Sequence, residues 1–316
     1  MKKTFLFVSL ICVCFNLFAQ SEKLRVGILN GPTCVPAAYL IDKNADYTFE
    51  QFADPQALLP KMIKKEIDIG FMPVNVAAKV YNTGNKALIC GAVTGLGNIK
   101  LITTDSDIKR FTDLKDKTVY VAGQGATPEY MFRFLLDENK LDWSEDGDVV
   151  LDFSIPTAQL AAQMISGKIQ YAVVPEPFAT IAQMKSEKIT AALDFQKEYI
   201  EITGEKNIYP LSVMVVRKDF AKENKELLDT FLNEYEKAVE WTVANPVEAG
   251  NLSETKGLGL AASVVSKAIP VSNYTYIQAK KAVSQIEALL NIFLNCDKIS
   301  IGGKLPAKDF YYSKND

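Results

Sequence analysis

Histidine is missing from the whole 316-residue chain, which removes the commonest general base and the commonest metal ligand in proteins. We therefore expect neither a metal site nor a cofactor. Cysteine is scarce as well, and only Cys34, Cys90 and Cys296 lie beyond the N-terminal segment. An odd set of three does not make a disulfide framework, so buried free thiols are expected.

Positive charge is neither abundant nor clustered. The net charge is −3, only four arginines occur, and the lysines are scattered along the chain. Nucleic-acid-binding proteins instead concentrate basic residues on one face. The composition therefore argues against a nucleic-acid partner.

The N-terminal segment differs in composition from the rest. Two lysines precede an apolar run over residues 5–15, and the sequence turns polar at Gln20. The run is too short to span a bilayer, and the pattern is typical of a signal peptide. We predict a signal peptide over residues 1–19 and an exported, periplasmic or extracytoplasmic protein. A lipid anchor at Cys12 or Cys14 is the alternative, although their neighbours match a lipobox poorly.

Two segments share a strand, a glycine-containing turn and an apolar helix. One is TVYVAGQGATPEYMFRFLLDE from Thr118, and the other is LRVGILNGPTCVPAAYL from Leu24. Such a turn points backbone N–H groups beyond the strand end, where they can hold the polar part of a ligand. An ordinary turn between strand and helix is the alternative, because Pro128 stands where a dinucleotide fingerprint has its third glycine.

A second pair of segments is also similar in sequence. MIKKEIDIGFMPV from Met62 and MISGKIQYAVVPE from Met164 carry methionine, isoleucine and proline at identical spacings. The double match indicates duplication, with two similar α/β lobes.

The alternation of strands and helices predicts an α/β fold. We expect two doubly wound lobes with mainly parallel sheets, joined by a two-segment hinge. Lobe one comprises residues 20–104 and 208–316, and lobe two comprises residues 105–207. The crossings near Thr104 and Asn207 are expected to permit hinge closure around a ligand.

Ligands of open α/β sheets bind beyond the carboxyl ends of the strands. In lobe one these ends carry Asn30, Gly31, Thr33, Asn75, Thr94 and Asn98. In lobe two they carry Gly123, Gln124, Gly125, Thr127, Thr157 and Glu176. There are structural alternatives: the glycines serve the backbone geometry alone, Glu176 stabilises the helix that follows it, and four residues are helix caps, namely Thr33, Asn75, Thr127 and Thr157.

Charge bears on the ligand class. No arginine falls in these loops, so no bidentate clamp for a sulfonate or carboxylate is expected. If Glu129 or Glu176 faces the cleft, it favours N–H donors or positive charge. The candidates for stacking faces are Tyr39, Tyr130, Phe178 and Tyr209, with packing in the core as the alternative for each. A nitrogen heterocycle is therefore preferred over a sulfonate, taurine or nitrate.

Four stretches carry a family resemblance: VGILNGPT, IDIGFMPVN, DLKDKTVYVAGQGATPEYMFRFLL and QLAAQMISGKIQYAVVPEPFAT. The chain resembles the periplasmic substrate-binding proteins of ABC importers that bind nitrate, alkanesulfonates, taurine or thiamine-precursor pyrimidines. The resemblance implies a type II periplasmic-binding-protein fold, a small ligand between the lobes, and delivery to a membrane permease with its ATPase. It further implies a monomer without enzymatic activity, and it does not specify the ligand.

Two other functions remain open from the sequence. Pyrimidine-making and menaquinone-pathway enzymes resemble these binding proteins, and Cys34 beside a glycine turn is the one nucleophile candidate. It lacks a histidine partner, and no acid–base pair is evident. A ligand-sensing subunit of a membrane receptor is the third possibility.

Overall fold

The structure, a computed structural model, describes residues 23–31, 34–44, 46–205 and 209–314. Three sequence predictions concern residues outside these ranges. They are the signal peptide over residues 1–19, the ligand residue Thr33 and the second crossing near Asn207.

Strands and helices alternate along most of the described chain. The strands are β1 Leu24–Leu29, β2 Tyr47–Phe52, β3 Ile69–Pro73, β4 Leu88–Leu96, β5 Ile99–Thr103, β6 Lys117–Val121, β7 Val149–Asp152, β8 Tyr171–Pro175, β9 Thr190–Asp194, β10 Pro210–Arg217 and β11 Tyr274–Gln278. The helices are α1 Cys34–Lys43, α2 Pro55–Ile63, α3 Val74–Thr83, α4 Thr127–Glu138, α5 Thr157–Ile165, α6 Phe178–Lys185, α7 Phe195–Thr203, α8 Lys218–Glu223, α9 Lys225–Ala244, α10 Pro246–Thr255, α11 Ala262–Ala268 and α12 Val283–Cys296.

The strands form two sheets built on the same plan. The first has the order β2-β1-β3-β10-β4-β11 and the second has the order β7-β6-β8-β5-β9. In each sheet three neighbouring strands pair in parallel, β2-β1-β3 and β7-β6-β8. A crossing strand follows and pairs antiparallel on both sides, β10 in the first sheet and β5 in the second. The expected α/β fold with two lobes is confirmed, and most described strands of each sheet point the same way.

The repeated motifs occupy matching places in the two sheets. Strand β1 and strand β6 are each the centre of a parallel trio, while β3 and β8 each pair with the crossing strand. The segments that are similar in sequence therefore form equivalent strands of the two sheets, as duplication of one lobe would produce.

The chain leaves the first sheet earlier than the proposed lobe boundary. We assigned residues up to 104 to lobe one, but strand β5 pairs with β8 and β9 of the second sheet. The first crossing lies at Gly97 and Asn98, between β4 and β5. An apolar extended segment satisfies the interior of either sheet, so its composition did not reveal which sheet it joins.

Apolar packing connects the lobes along one side. Helix α12 returns from lobe one and packs against α4 of lobe two, where the ring centroids of Phe293 and Tyr130 are 5.6 Å apart. The Tyr130 hydroxyl donates to Asp297 Oδ2 at 3.1 Å. Because one buried cluster includes residues of both sheets and of α12, the lobes share part of their core.

Candidate functional site

A cavity of about 240 Å³ lies between the lobes, beyond the carboxyl ends of β1, β3, β6 and β8. It occupies the place where ligands of open α/β sheets bind. Seven of the predicted ligand residues line it: Asn30, Thr94, Asn98, Gly123, Gln124, Gly125 and Thr157. Their contact with a ligand stays a prediction, but the fold brings them together from both lobes.

Asn75 and Thr127 contact each other across the lobes instead of lining the cavity. Asn75 is fully buried, and its Nδ2 donates to the carbonyl of Gly125 at 2.9 Å. The Thr127 hydroxyl donates to Asn75 Oδ1 at 3.3 Å. We predicted Thr127 as a helix cap, but the N-cap of α4 is Ala126. We call Asn75, Gly125 and Thr127 the interlobe bridge, because it ties α3 of lobe one to the turn of lobe two.

The glycine turn of lobe two uses most of its amides internally. Gly123 and Gly125 have φ of +69° and +75°, values that glycine adopts without steric cost. The Gly123 amide donates to Thr157 Oγ1 at 3.1 Å, and the Gly125 amide donates to Glu129 Oε2 at 2.6 Å. The Gln124 amide has no partner among the described residues. The turn therefore offers an anion fewer donors than its sequence suggests.

Neither carboxylate considered for ligand recognition lines the cavity. Glu129 forms an ion pair with Arg133 in addition to its bond from Gly125. Glu176 accepts hydrogen bonds at Oε2 from the Thr180 amide at 3.0 Å and from the Thr180 hydroxyl at 2.7 Å. Burial raises the pKa of Glu176 above its ordinary value. We expected a carboxylate to favour a cationic or N–H-bearing ligand only if it faced the cleft. Neither carboxylate lines the cavity, so neither supports such a ligand.

The cavity wall nevertheless has a distinctive character, because none of its described residues is charged. Apolar side chains include Leu29, Met72, Val76 and Leu211. Polar groups are amides and hydroxyls, and the hydroxyls of Thr94 and Ser212 lie 3.1 Å apart in a mutual hydrogen bond. A wall of this composition suits a ligand without net charge, since an unpaired ion in apolar surroundings is costly.

Asn98 is a deeply buried polar residue of this wall. It is only 2% exposed, and its Nδ2 donates to the carbonyl of Ser272 at 3.0 Å. Its Oδ1 is buried and has no partner among the described residues. Buried polar atoms without a partner are uncommon, so this acceptor calls for a physical explanation.

The aromatic side chains around the cavity differ from the four we predicted. Tyr235 of α9 and Tyr274 of β11 line it. The four predicted aromatics do not line it: Tyr39, Tyr130, Phe178 and Tyr209. Tyr235 lies on the apolar stripe of α9 together with Leu228, Phe231, Leu232 and Val239, and its hydroxyl among these apolar neighbours was the available signal. Strand β11 carries no local pattern that points to the cleft.

Cys34 is not placed as a nucleophile. Its thiol is buried and donates to the carbonyl of Gly31 at 2.8 Å, and burial raises the pKa of Cys34 to about 11. The position of Gly31 serves this contact, and Gly31 does not line the cavity. Within the described residues there is no cluster of three or more acidic, cysteine or histidine side chains that could hold a metal. None of the helices described there is both long and apolar enough to cross a bilayer.

Solved structures with the same fold include several transport proteins. An ABC transporter protein from Parabacteroides distasonis is 21% identical with a TM-score of 0.79, over 93% of this chain and 99% of that one. The periplasmic aliphatic sulphonate binding protein SsuA from Escherichia coli is 17% identical with a TM-score of 0.67, over 90% and 92%. The periplasmic nitrate-binding protein NrtA from Synechocystis PCC 6803 is 13% identical with a TM-score of 0.71, over 92% and 87%.

At these identities the similarity establishes the fold, and it confirms the expected periplasmic-binding-protein fold. A search of curated proteins found no significant match. The NMT1-like family model matches residues 20–255, which is most of the sequence. The chain therefore belongs to the NMT1-like family.

Proposed function

We propose that this protein is the extracytoplasmic substrate-binding subunit of an ABC importer. The observation that carries the proposal is the cavity between two lobes of matching topology, lined by strand-end residues from both. A ligand held there gains contacts from each lobe only when the lobes are together. Ligand binding would therefore shift the population toward the closed form.

The ligand is small and carries no net charge. A cavity of about 240 Å³ admits a compact small molecule. The uncharged wall and the internally used amides of Gly123 and Gly125 disfavour nitrate or a sulfonate. Tyr235 and Tyr274 contribute aromatic side chains to this uncharged wall, so a neutral nitrogen heterocycle fits it better than an anion does.

The partners follow from the role. A binding subunit delivers its ligand to a membrane permease driven by an ATPase, and it works as a monomer outside the cytoplasm. The signal peptide proposed for residues 1–19 would export the chain, with a free soluble form preferred over a lipid anchor.

Binding rather than catalysis is supported by the state of Cys34. A thiol whose pKa is raised to about 11 by burial is almost entirely protonated at neutral pH, whereas the thiolate is the nucleophile. The hydrogen bond to Gly31 keeps the thiol turned toward the protein interior. An enzyme using this residue would need an exposed, activated thiolate.

The test is to purify the mature protein under native conditions and identify the small molecules released on denaturation by mass spectrometry. We expect one neutral molecule in about 1:1 ratio, which rebinds to the emptied protein in calorimetry without being converted. Ser212→Phe, which fills the cavity, should abolish retention, while Val243→Phe on the exposed face of α9 should not. Recovery of a sulfonate or nitrate would contradict the ligand class, and accumulation of a product would contradict the binding role.

A further inference from the structure

The first crossing between the lobes is tightly packed. The Gly97 amide donates to the carbonyl of Tyr209 at 2.8 Å, and Asn273 Nδ2 donates to the carbonyl of Gly97 at 2.6 Å. A Cβ on Gly97 would lie 2.4 Å from the Tyr209 ring, so only glycine fits here. Tyr209 in turn donates its hydroxyl to Gln196 Oε1 of lobe two at 2.8 Å. The crossing is therefore held in one arrangement by groups from both lobes.

Asn98 is the next residue and is bonded to both lobes. Its carbonyl accepts from the Glu176 amide of lobe two at 3.3 Å, and its side-chain Nδ2 donates to Ser272 of lobe one at 3.0 Å. It also lines the cavity. Asn98 is thus a wall residue and a residue of the crossing segment at once.

The remaining atom of this side chain, Oδ1, is the informative one. Two other buried hydroxyls of the wall have partners, because Thr94 is bonded to Ser212 and Ser272 donates to the carbonyl of Ala268. In the described residues Asn98 Oδ1 is the buried side-chain atom of the wall that lacks a partner. A buried acceptor left unpaired destabilises a fold, and a donor on a ligand would remove that penalty.

We propose that Asn98 is the specificity-determining residue of the cavity, whose Oδ1 accepts a hydrogen bond from an N–H or O–H group of an uncharged ligand at the crossing between the lobes. Because the same side chain is tied to Ser272 and the same residue to Glu176, satisfying Oδ1 also fixes the crossing in its closed geometry. The inference rests on the proposed function and adds which ligand atom is recognised and by which residue. A site that hydrogen-bonds its substrate rejects analogues lacking the donor far more strongly than an apolar pocket rejects a missing methylene.

The experiment uses matched probes that differ only at one donor. Benzimidazole, indazole and uracil are titrated by calorimetry against their N-methylated counterparts, with nitrate and ethanesulfonate as anionic probes. We expect at least one N–H probe to bind and its N-methylated partner to bind at least tenfold more weakly. In Asn98→Leu the N–H probe should lose at least tenfold in affinity, while the N-methylated partner should change little, so that the discrimination disappears.

A control addresses folding. Asn245→Leu removes another amide that donates to a backbone carbonyl, that of Trp241, outside the cavity. It should preserve the discrimination between probes even if it lowers stability. Discrimination that persists in Asn98→Leu, equal binding of methylated and unmethylated probes, or failure of every N–H probe to bind would each overturn the inference.

The two proposals fail in different ways. Binding of an anionic probe in place of the neutral ones would overturn both the ligand class and the role of Asn98. If a neutral molecule co-purifies and Asn98→Leu binds the N–H probes as the unmodified protein does, the binding function stands and the assignment of Asn98 is wrong.

Discussion

The strand ends of the two lobes have the same backbone plan and different side-chain chemistry. Strands β3 and β8 both close on a proline, Pro73 and Pro175, and a helix follows each. In lobe one the next residues are the buried Val74 and the buried Asn75, which reaches across to Gly125. In lobe two the residue after the proline is Glu176, which turns back to Thr180 of its own helix. The side chain of Asn75 in lobe one thus contacts the other lobe, whereas the side chain of Glu176 in lobe two bonds within its own lobe.

The other pair of strand ends has kept its chemistry. After β1 and β6 an amide residue precedes a glycine with positive φ, Asn30 before Gly31 and Gln124 before Gly125. Both amides are exposed and line the cavity from opposite lobes. The two lobes thus share the parallel trio and its crossing strand, while their side chains differ where lobe one provides the interlobe contact.

The largest expected effect concerns the interlobe bridge. Asn75→Leu keeps the branching of the side chain, although leucine is larger, and leaves the Gly125 carbonyl and the Thr127 hydroxyl without this partner. We expect a loss of about 1–3 kcal/mol in the free energy of unfolding, measured in urea on ligand-free protein. Glu176→Gln in lobe two is the matched comparison and should change stability much less. Equal losses would mean that the two strand ends do not differ in the way described.

Backbone strain should give a smaller and more even effect in the two lobes. Gly31→Ala and Gly125→Ala each place a Cβ in open space, yet at φ of +102° and +75°. Since the strain is local, we expect a loss of about 1 kcal/mol from each variant in chemical unfolding. A loss several times larger in only one of them would show that the two turns are not equivalent.

The smallest effect depends on pH. Burial raises the pKa of Glu176, so the folded protein favours the protonated carboxyl and its charged form costs stability. The penalty is absent below the ordinary glutamate pKa and grows as the pH rises through the raised value. Glu176→Gln removes this charge. The melting temperature of the variant minus that of the unmodified protein should therefore be larger at pH 7.5 than at pH 4.5.

The same variant separates stability from recognition. Glu176 does not line the cavity, so Glu176→Gln should bind benzimidazole, or whichever neutral probe the unmodified protein binds, with unchanged affinity in calorimetry. A tenfold change in affinity would restore Glu176 as a candidate ligand contact.

Local sequence signals predicted the local structure well. The glycine turns, the prolines closing β3 and β8, and the alternation of strands and helices led to the two-lobe α/β fold and to residues that meet at one cavity. These features depend on backbone preferences and on spacing, which a single segment carries in itself.

The features that the sequence did not predict are contacts between residues that lie far apart in the chain. The residues next to Asn75 in the sequence do not reveal that its amide contacts Gly125. Those next to Ile99–Thr103 do not reveal which sheet that strand joins. Tyr274 lines the cavity only because β11 pairs with β4 at the sheet edge. Such outcomes are decided by tertiary packing, which single-segment patterns do not encode.

The crossing strands have a consequence for how the newly made chain acquires its shape. Strand β3 pairs with β10 in the folded protein. Strand β10 begins only at Pro210, so all strands of the second sheet are synthesised before it. An N-terminal fragment that ends before β10 therefore carries an open, apolar edge in the middle of its future sheet. Open edges of this kind recruit other chains into aggregates. A chain synthesised from its amino end would consequently keep this edge unpaired until its later half is made.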